Sequence, residues 1–154
     1  MAQKDKELLI KDLCCRLPYG VIGRCEIDAS YDTSFDTIFQ IHKFDAVVYG
    51  LQADLLFVTP LIEDKDEQEF ANEEVADGVY ILDFKPYLFP LSSMTEVQKN
   101  IYSIYIDELK RNDGAYFETV FTSLQFWLYA NHFDVHGLIP LDLAIDATGL
   151  KIYN

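Results

Sequence analysis

Over residues 4–17 the apolar side chains Leu9, Leu13 and Leu17, with Ile10 and Cys14 beside them, return at helical spacing, while Lys6, Lys11, Asp12 and Arg16 fall largely elsewhere. A stripe of that period predicts an amphipathic helix. "LPYG" (17–20) ends it, because proline disfavours helical geometry at the residue before it and Gly20 permits a tight turn. Beyond that point the period shortens. "VIGRCEI" (21–27), "TIFQIHKF" (37–44), "AVVYGL" (46–51) and "DLLFVTPL" (54–61) are rich in β-branched and aromatic residues and are separated by short polar breaks, which predicts four strands of an antiparallel meander. Gly23 inside the first marks a bulge or a close backbone approach.

"GVYILDF" (78–84) and "KPYLFPL" (85–91) continue the extended character. Pro86 and Pro90 each remove a ladder donor, so this last piece is expected at an edge or in irregular pairing. Five or six short strands suit a small antiparallel β-barrel, SH3-like by the order of its elements, with an OB-like barrel as second choice. The pattern then changes period again. Thr95 and Gln98 have the spacing of a reciprocal capping box, and the residues after them predict a helix over 96–112 with Val97, Ile101, Ile104 and Tyr105 on one face. Lys110 and Arg111 complement its negative end, and Gly114 punctuates it.

In "AYFETVFTSLQFWLYANHF" (115–133) Phe117, Val120, Phe121, Leu124 and Leu128 make a second stripe, with Phe126, Trp127 and Tyr129 opposite. Such a helix is expected to be buried on more than one side, between its partner helix and the β unit. The short connection implies a helical hairpin. A short helix over 140–147 and a tail complete the chain. The expected class is therefore α+β, with residues 1–91 as N-terminal helix plus barrel and 92–154 as a helical region packed on it in one compact unit.

Charge narrows the partners. Twenty-six acidic residues face 12 basic ones, a formal charge of -14, and such a field repels phosphate backbones and anionic lipid heads. Direct nucleic-acid binding and membrane association are not expected; a protein partner, basic if the acids recognise it, is. Glu63, Asp64, Asp66, Glu67, Glu69, Glu73, Glu74 and Asp77 cluster around the single base Lys65, a pattern that reads as a mobile loop or solvated helical turn. If these acids formed a stripe they could imitate a phosphate backbone. Three cysteines give no disulfide framework, and the start of the chain lacks an unbroken apolar run, so the expected location is the cytoplasm.

Three segments, "KDLCCRLPYGV" (11–21), "KPYLFPLSSMTEVQK" (85–99) and "LYANHFDVHGLIPLDLAIDATGL" (128–150), together resemble a family of uncharacterised proteins encoded by gut anaerobic bacteria and their prophages or mobile elements. They cover about a third of the chain. The resemblance implies a context, an accessory or protein-interaction protein without known activity, and no catalytic or cofactor-binding residue. Members of that family tend to carry arginine where His136 stands here.

Candidate chemistry is sparse. His132, Asp134 and His136 in "HFDVH" would suit a metal-dependent hydrolase if the two histidines shared one helical face. Gly137 follows directly, which favours histidines that cap carbonyls at a helix end. Cys14 reads as core, Cys15 as semi-exposed and Cys25 as a strand residue, with no spacing for a zinc site and nothing to orient a Cys–His42 pair. Serine elbows, phosphate loops and dinucleotide fingerprints are absent from the sequence. The remaining surface signal is aromatic residues beside proline. Tyr19, Tyr87 and Phe89 are candidates for an interaction surface, together with Glu67, Glu69, Glu73 and Glu74, or alternatively for a seal between barrel and helices.

Overall fold

The computed structural model describes residues 3–153. Helix α1 (Gln3–Arg16) carries the predicted stripe, with Leu9 and Leu13 buried, and passes into a 3-10 turn at Leu17–Tyr19 closed by Gly20 in the left-handed region at φ 67°. Then come β1 (Ile22–Asp28), a small ribbon of β2 (Tyr31–Asp32) and β3 (Thr37–Ile38), β4 (Ile41–Gln52) and β5 (Leu55–Pro60). Helix α2 (Lys65–Glu74), β6 (Val79–Tyr80), β7 (Phe84–Leu88), α3 (Glu96–Arg111), α4 (Gly114–Ala130) and β8 (Ile145–Asp146) follow.

Six strands form one sheet in the order β6-β5-β4-β1-β7-β8, antiparallel throughout except for the parallel pair β7 and β8. All seven residues of β1 pair with β4, from Ile22 opposite Val47 to Asp28 opposite Ile41. Side chains alternate as a half-buried sheet requires: Cys25, Phe44, Ala46, Val48, Leu56 and Val58 point to the buried face. Leu9 and Leu13 of α1, Ala71 and Val75 beside or in α2, and Leu138 and Leu143 from near the C-terminus join them in one apolar core.

The expected barrel is not there. The sheet is open, with β6 and β8 at its edges, and each edge strand is two residues long. Closure needs a continuous ladder between the outermost strands, and strands this short offer none. The acidic stretch, expected as a loop or single turn, is a ten-residue helix whose N-cap Asp64 accepts hydrogen bonds from the amides of Asp66 and Glu67. Residues 37–51, expected as two strands, divide differently, into the ribbon strand β3 and a single 12-residue β4. The extra residue Tyr49 is accommodated by a register shift between Val48 and Gly50.

Gly23 explains how β7 fits. A Cβ there would lie 2.3 Å from the Phe84 ring and 2.5 Å from the Lys85 carbonyl oxygen, so the close backbone approach expected at this position is real. Pro86 sits opposite Gly23, and β1 and β7 share only three paired positions. β7 is thus an interior strand with irregular pairing, not an edge.

Thr95 caps α3 as predicted: its side chain accepts from the Gln98 amide while the Gln98 side chain accepts from the Thr95 amide. α3 and α4 are separated by Asn112 and Asp113 and touch through Tyr105 and Trp127, whose rings lie 6.3 Å apart. A second apolar cluster of Met94, Leu124, Leu128 and Phe133 lies between them. α4 is less enclosed than its sequence suggests, because Phe121 and Phe126 are 44% and 57% exposed. The short helix expected over 140–147 is instead a run of turns leading into β8, where Asp142 takes a left-handed φ of 58° that a right-handed helix does not admit. Among the described residues no helix is long and apolar enough to cross a membrane.

Candidate functional site at the joint

The stretch between β7 and α3 lies where four parts of the chain meet. Phe89 is fixed first: its amide donates to the His132 carbonyl (2.9 Å), and the Asp134 amide donates to its own carbonyl (2.8 Å). This parallel bridge holds the end of α4 against the end of β7. His132 allows the chain to turn there by adopting φ 57°, a left-handed conformation uncommon outside glycine, asparagine and their like. The turn buries its ring, which is 7% exposed.

Tyr153 returns from the tail to complete the arrangement. Its ring stacks on His132 with centroids 3.6 Å apart and planes within 9°. Its hydroxyl accepts the Ile22 amide (3.1 Å), and its hydrogen serves the carbonyls of Tyr87 (2.9 Å) and Ile22 (3.1 Å). The hydroxyl stands in for strand pairing just where β1 and β7 part. Burial, aided by the charge of Arg16, pushes the His132 imidazole down to about 4, so it is neutral near pH 7. Burial pushes the Tyr153 phenol up to about 12.

These parts enclose a cleft of about 660 Å³. Tyr19 and Ile22 line it from the turn after α1, and Phe89, Ser93, Thr95 and Gln98 from the link into α3. The end of α4 and the tail supply the rest, chiefly Asn131, His132, Phe133 and Tyr153. None of the lining side chains is an acid, a lysine or an arginine.

Behind the cleft lies a buried charge cluster. Asp12 and Arg16, one helical turn apart, are both fully buried and joined by two hydrogen bonds of 2.5 and 2.9 Å. Arg16 also donates to the Phe133 carbonyl at 2.7 Å and lies over the Tyr129 ring, while its Nη1 has no hydrogen-bond partner among the described residues. Nδ1 of His136 is 2.9 Å from Asp12. Burial alone would raise the Asp12 carboxyl; the hydrogen bonds to His136 and Arg16 outweigh it and hold the group below the usual carboxylate range.

The metal reading of "HFDVH" loses its geometry here. His132 stacks on Tyr153, Asp134 caps the amides of Leu138 (2.7 Å) and Ile139 (3.0 Å), and His136 faces Asp12. Among the described residues no group of three or more histidines, cysteines and carboxylates is placed to hold a metal ion. Cys14, expected in the core, is exposed, because the buried side of α1 runs through Leu9, Asp12, Leu13 and Arg16; Cys15 is half-buried. Cys25 is buried, its thiol pushed up to about 12 by desolvation, which leaves it inert as a nucleophile.

The nominated surface residues separate into four environments. Tyr87 is 2% exposed, so it is not part of an accessible surface; its hydroxyl accepts from Arg24 and donates to Asp45 on the far side of the sheet. Tyr19 and Phe89 line the cleft. Glu67, Glu69 and Glu73 are exposed on α2, whereas Glu74 turns inward to His42, 2.6 Å from its Nδ1. Sequence reasoning missed Tyr153, which sits in a tail without periodicity, and the Asp12–Arg16 pair, whose four-residue spacing on the apolar side of α1 was the available signal. No family model matches the chain, and no curated protein and no solved structure matches it either.

Proposed function

We propose that the chain is a non-enzymatic cytoplasmic accessory protein, in the mobile-element context its three sequence segments imply, that docks another protein at the end of the sheet formed by the β2–β3 ribbon and α2. The observation that carries this reading is the exposure of Phe35 (100%) and Phe39 (85%) on the ribbon. Ile41, where the ribbon enters β4, is 56% exposed, and Phe70 of α2, 49% exposed, has its ring 5.5 Å from that of His42, the next residue of β4. Exposed Asp66, Glu67, Glu69, Glu73 and Asp77 lie along the same helix and its end. Large apolar side chains beside carboxylates suit a partner segment that carries both apolar and basic residues. A second copy of a chain with charge -14 would be repelled from the same surface.

The test places a photo-crosslinking residue at Phe39, and at Tyr116 as a control, identifies the protein captured only at Phe39, and measures its binding after separate expression. Binding should weaken steeply between low and high salt and fall by more than about tenfold in Phe39→Ser, as loss of an aromatic anchor does. Capture of nothing, of nucleic acid, or of another copy alone would remove the proposal, as would a salt-insensitive complex.

A further inference from the structure

The cleft at the joint is a different surface from the ribbon end, and its chemistry is different. Its volume of about 660 Å³ lies in the range of small-molecule sites, roughly 300–1,000 Å³. Five rings border it; His132 and Phe133 are nearly buried, so the half-buried Tyr19, Phe89 and Tyr153 present the accessible aromatic surface. Its polar groups are all uncharged, in a chain where 38 of 154 residues, 26 acidic and 12 basic, carry charge.

Several of these polar groups retain hydrogen-bonding capacity after internal bonds are made. Gln98 uses Oε1 on the Thr95 amide, leaving its Nε2 donors. Asn131 uses Nδ2 on the Trp127 carbonyl, leaving Oδ1 as an acceptor. Thr95 accepts the Gln98 amide and keeps a hydroxyl hydrogen to donate. The site therefore presents both donors and acceptors beside aromatic faces.

The start of α3 also borders the cleft, and a helix N-terminus attracts anions. Here the capping box has taken the amides of Thr95 and Gln98, and Glu96 in the first turn adds a negative charge. No lysine or arginine lines the cleft to offset that charge. A phosphate would enter without a countercharge, against the field of an acidic protein.

We infer that the cleft binds an uncharged nitrogen heteroaromatic of nucleoside size, its ring against the aromatic wall and its polar edge toward Gln98, Asn131 and the Tyr19 hydroxyl. Stacking on aromatic side chains and hydrogen bonding of the free edge are how unpaired bases are held. The preference for a neutral ligand follows from the lining. A sugar would use the amides but not the number of rings.

The test uses the intact chain with adenosine, guanosine, cytidine and uridine, their 5′-monophosphates, and methyl glucoside, read by saturation-transfer NMR and titration calorimetry. At least one nucleoside should bind, its monophosphate more weakly, and the glucoside not at all. Tyr19→Phe should weaken the nucleoside by about threefold to tenfold, the worth of one hydrogen bond. Gln98→Glu keeps the acceptor that the capping box needs but replaces the donor and adds charge, so it should weaken binding while the melting temperature stays near that of the parent. Absence of binding by any nucleoside, equal binding of the monophosphate, binding of the glucoside alone, or indifference to both variants would overturn the inference.

Discussion

Tyr153 lies flat on His132, ring centroids 3.6 Å apart, and this contact ties the tail to the end of α4 while the tyrosine hydroxyl ties both to β1 and β7. Each partner explains the other's environment. The phenol ring removes one face of the imidazole from water, and the imidazole turn gives the tail a surface to cover.

Acid should weaken the fold through His132. Its folded value of about 4 lies below the ordinary 6.5, so the unfolded chain takes up the proton first. The stability contributed by the neutral ring is fully present above pH 6.5 and is lost as pH falls toward about 4, a change on the order of 3 kcal/mol. Asp12, whose carboxyl is held below its ordinary 3.8, acts in a lower window: its contribution is present above that value and disappears as pH falls through its folded value. Urea unfolding at pH 7, 5.5 and 4.5 should show the decline, and His132→Asn, which tolerates the left-handed backbone, should flatten it between 6.5 and 4. An unchanged slope in that variant would place the acid sensitivity elsewhere.

Removing one oxygen from the tail should be felt in the sheet. Tyr153→Phe leaves the Ile22 amide and the Tyr87 carbonyl without their shared partner at a half-buried site, a loss of about 1–3 kcal/mol. Tyr116→Phe, at a residue 56% exposed, should shift the denaturation midpoint hardly at all. Equal effects of the two would show that the hydroxyl bridge contributes nothing.

What the sequence disclosed and what it withheld follow from the range of the forces involved. The capping box at Thr95 and Gln98, the Gly20 turn and the close approach at Gly23 are local, and each was legible from a few adjacent residues. Whether β6 pairs with β8 or the sheet stays open is decided by partners far apart in the chain, and periodicity carries no such information. In 37–51 the polar Asp45 read as a break between two strands, but it lies within the continuous β4, where it pairs with Arg24, and the real interruption falls at Phe39 and Gln40. For the cleft, the aromatic residues beside proline at Tyr19 and Phe89 were visible, but Tyr153 had no local pattern to announce it. Tyr87 looked identical to them in sequence and is buried, its hydroxyl held by Arg24 and Asp45, partners 63 and 42 residues away that no local pattern announces.

Gly23→Ala should destabilise the β1–β7 pairing. The new methyl would meet the Phe84 ring, 1% exposed and enclosed by the core, and the Lys85 backbone oxygen. Neither can move without shifting β7, so the cost should reach or exceed the roughly 1–3 kcal/mol usual for overpacking. Thermal melting reads it directly, and Gly149→Ala is the control for a glycine with nothing within 4 Å, although its φ of 79° adds backbone strain of its own. If Gly23→Ala melted higher than Gly149→Ala, the tight approach would not constrain the strand.

The buried cluster behind the cleft gives the sharpest contrast between removing and replacing charge. Asp12→Asn leaves Arg16 fully buried without its carboxylate, and Arg16→Met leaves Asp12 with only His136 as a donor; breaking a buried pair in this way costs about 3–5 kcal/mol. Arg16→Met alone also frees the Phe133 carbonyl, so it should be the worse of the two at neutral pH. The double variant Asp12→Leu with Arg16→Met removes both charges and should recover much of the loss, since apolar replacement of a whole buried pair is often close to neutral. His136→Arg keeps a donor toward Asp12 and has an outlet to solvent, its side chain being 18% exposed in the parent, so it should stay within about 1 kcal/mol of the parent, whereas His136→Leu should not. Urea midpoints for the five variants, with Asp12→Leu alone as the matching single, test the set: a double variant as unstable as the sum of Asp12→Leu and Arg16→Met would mean that the pair is held by its packing and not by its charges.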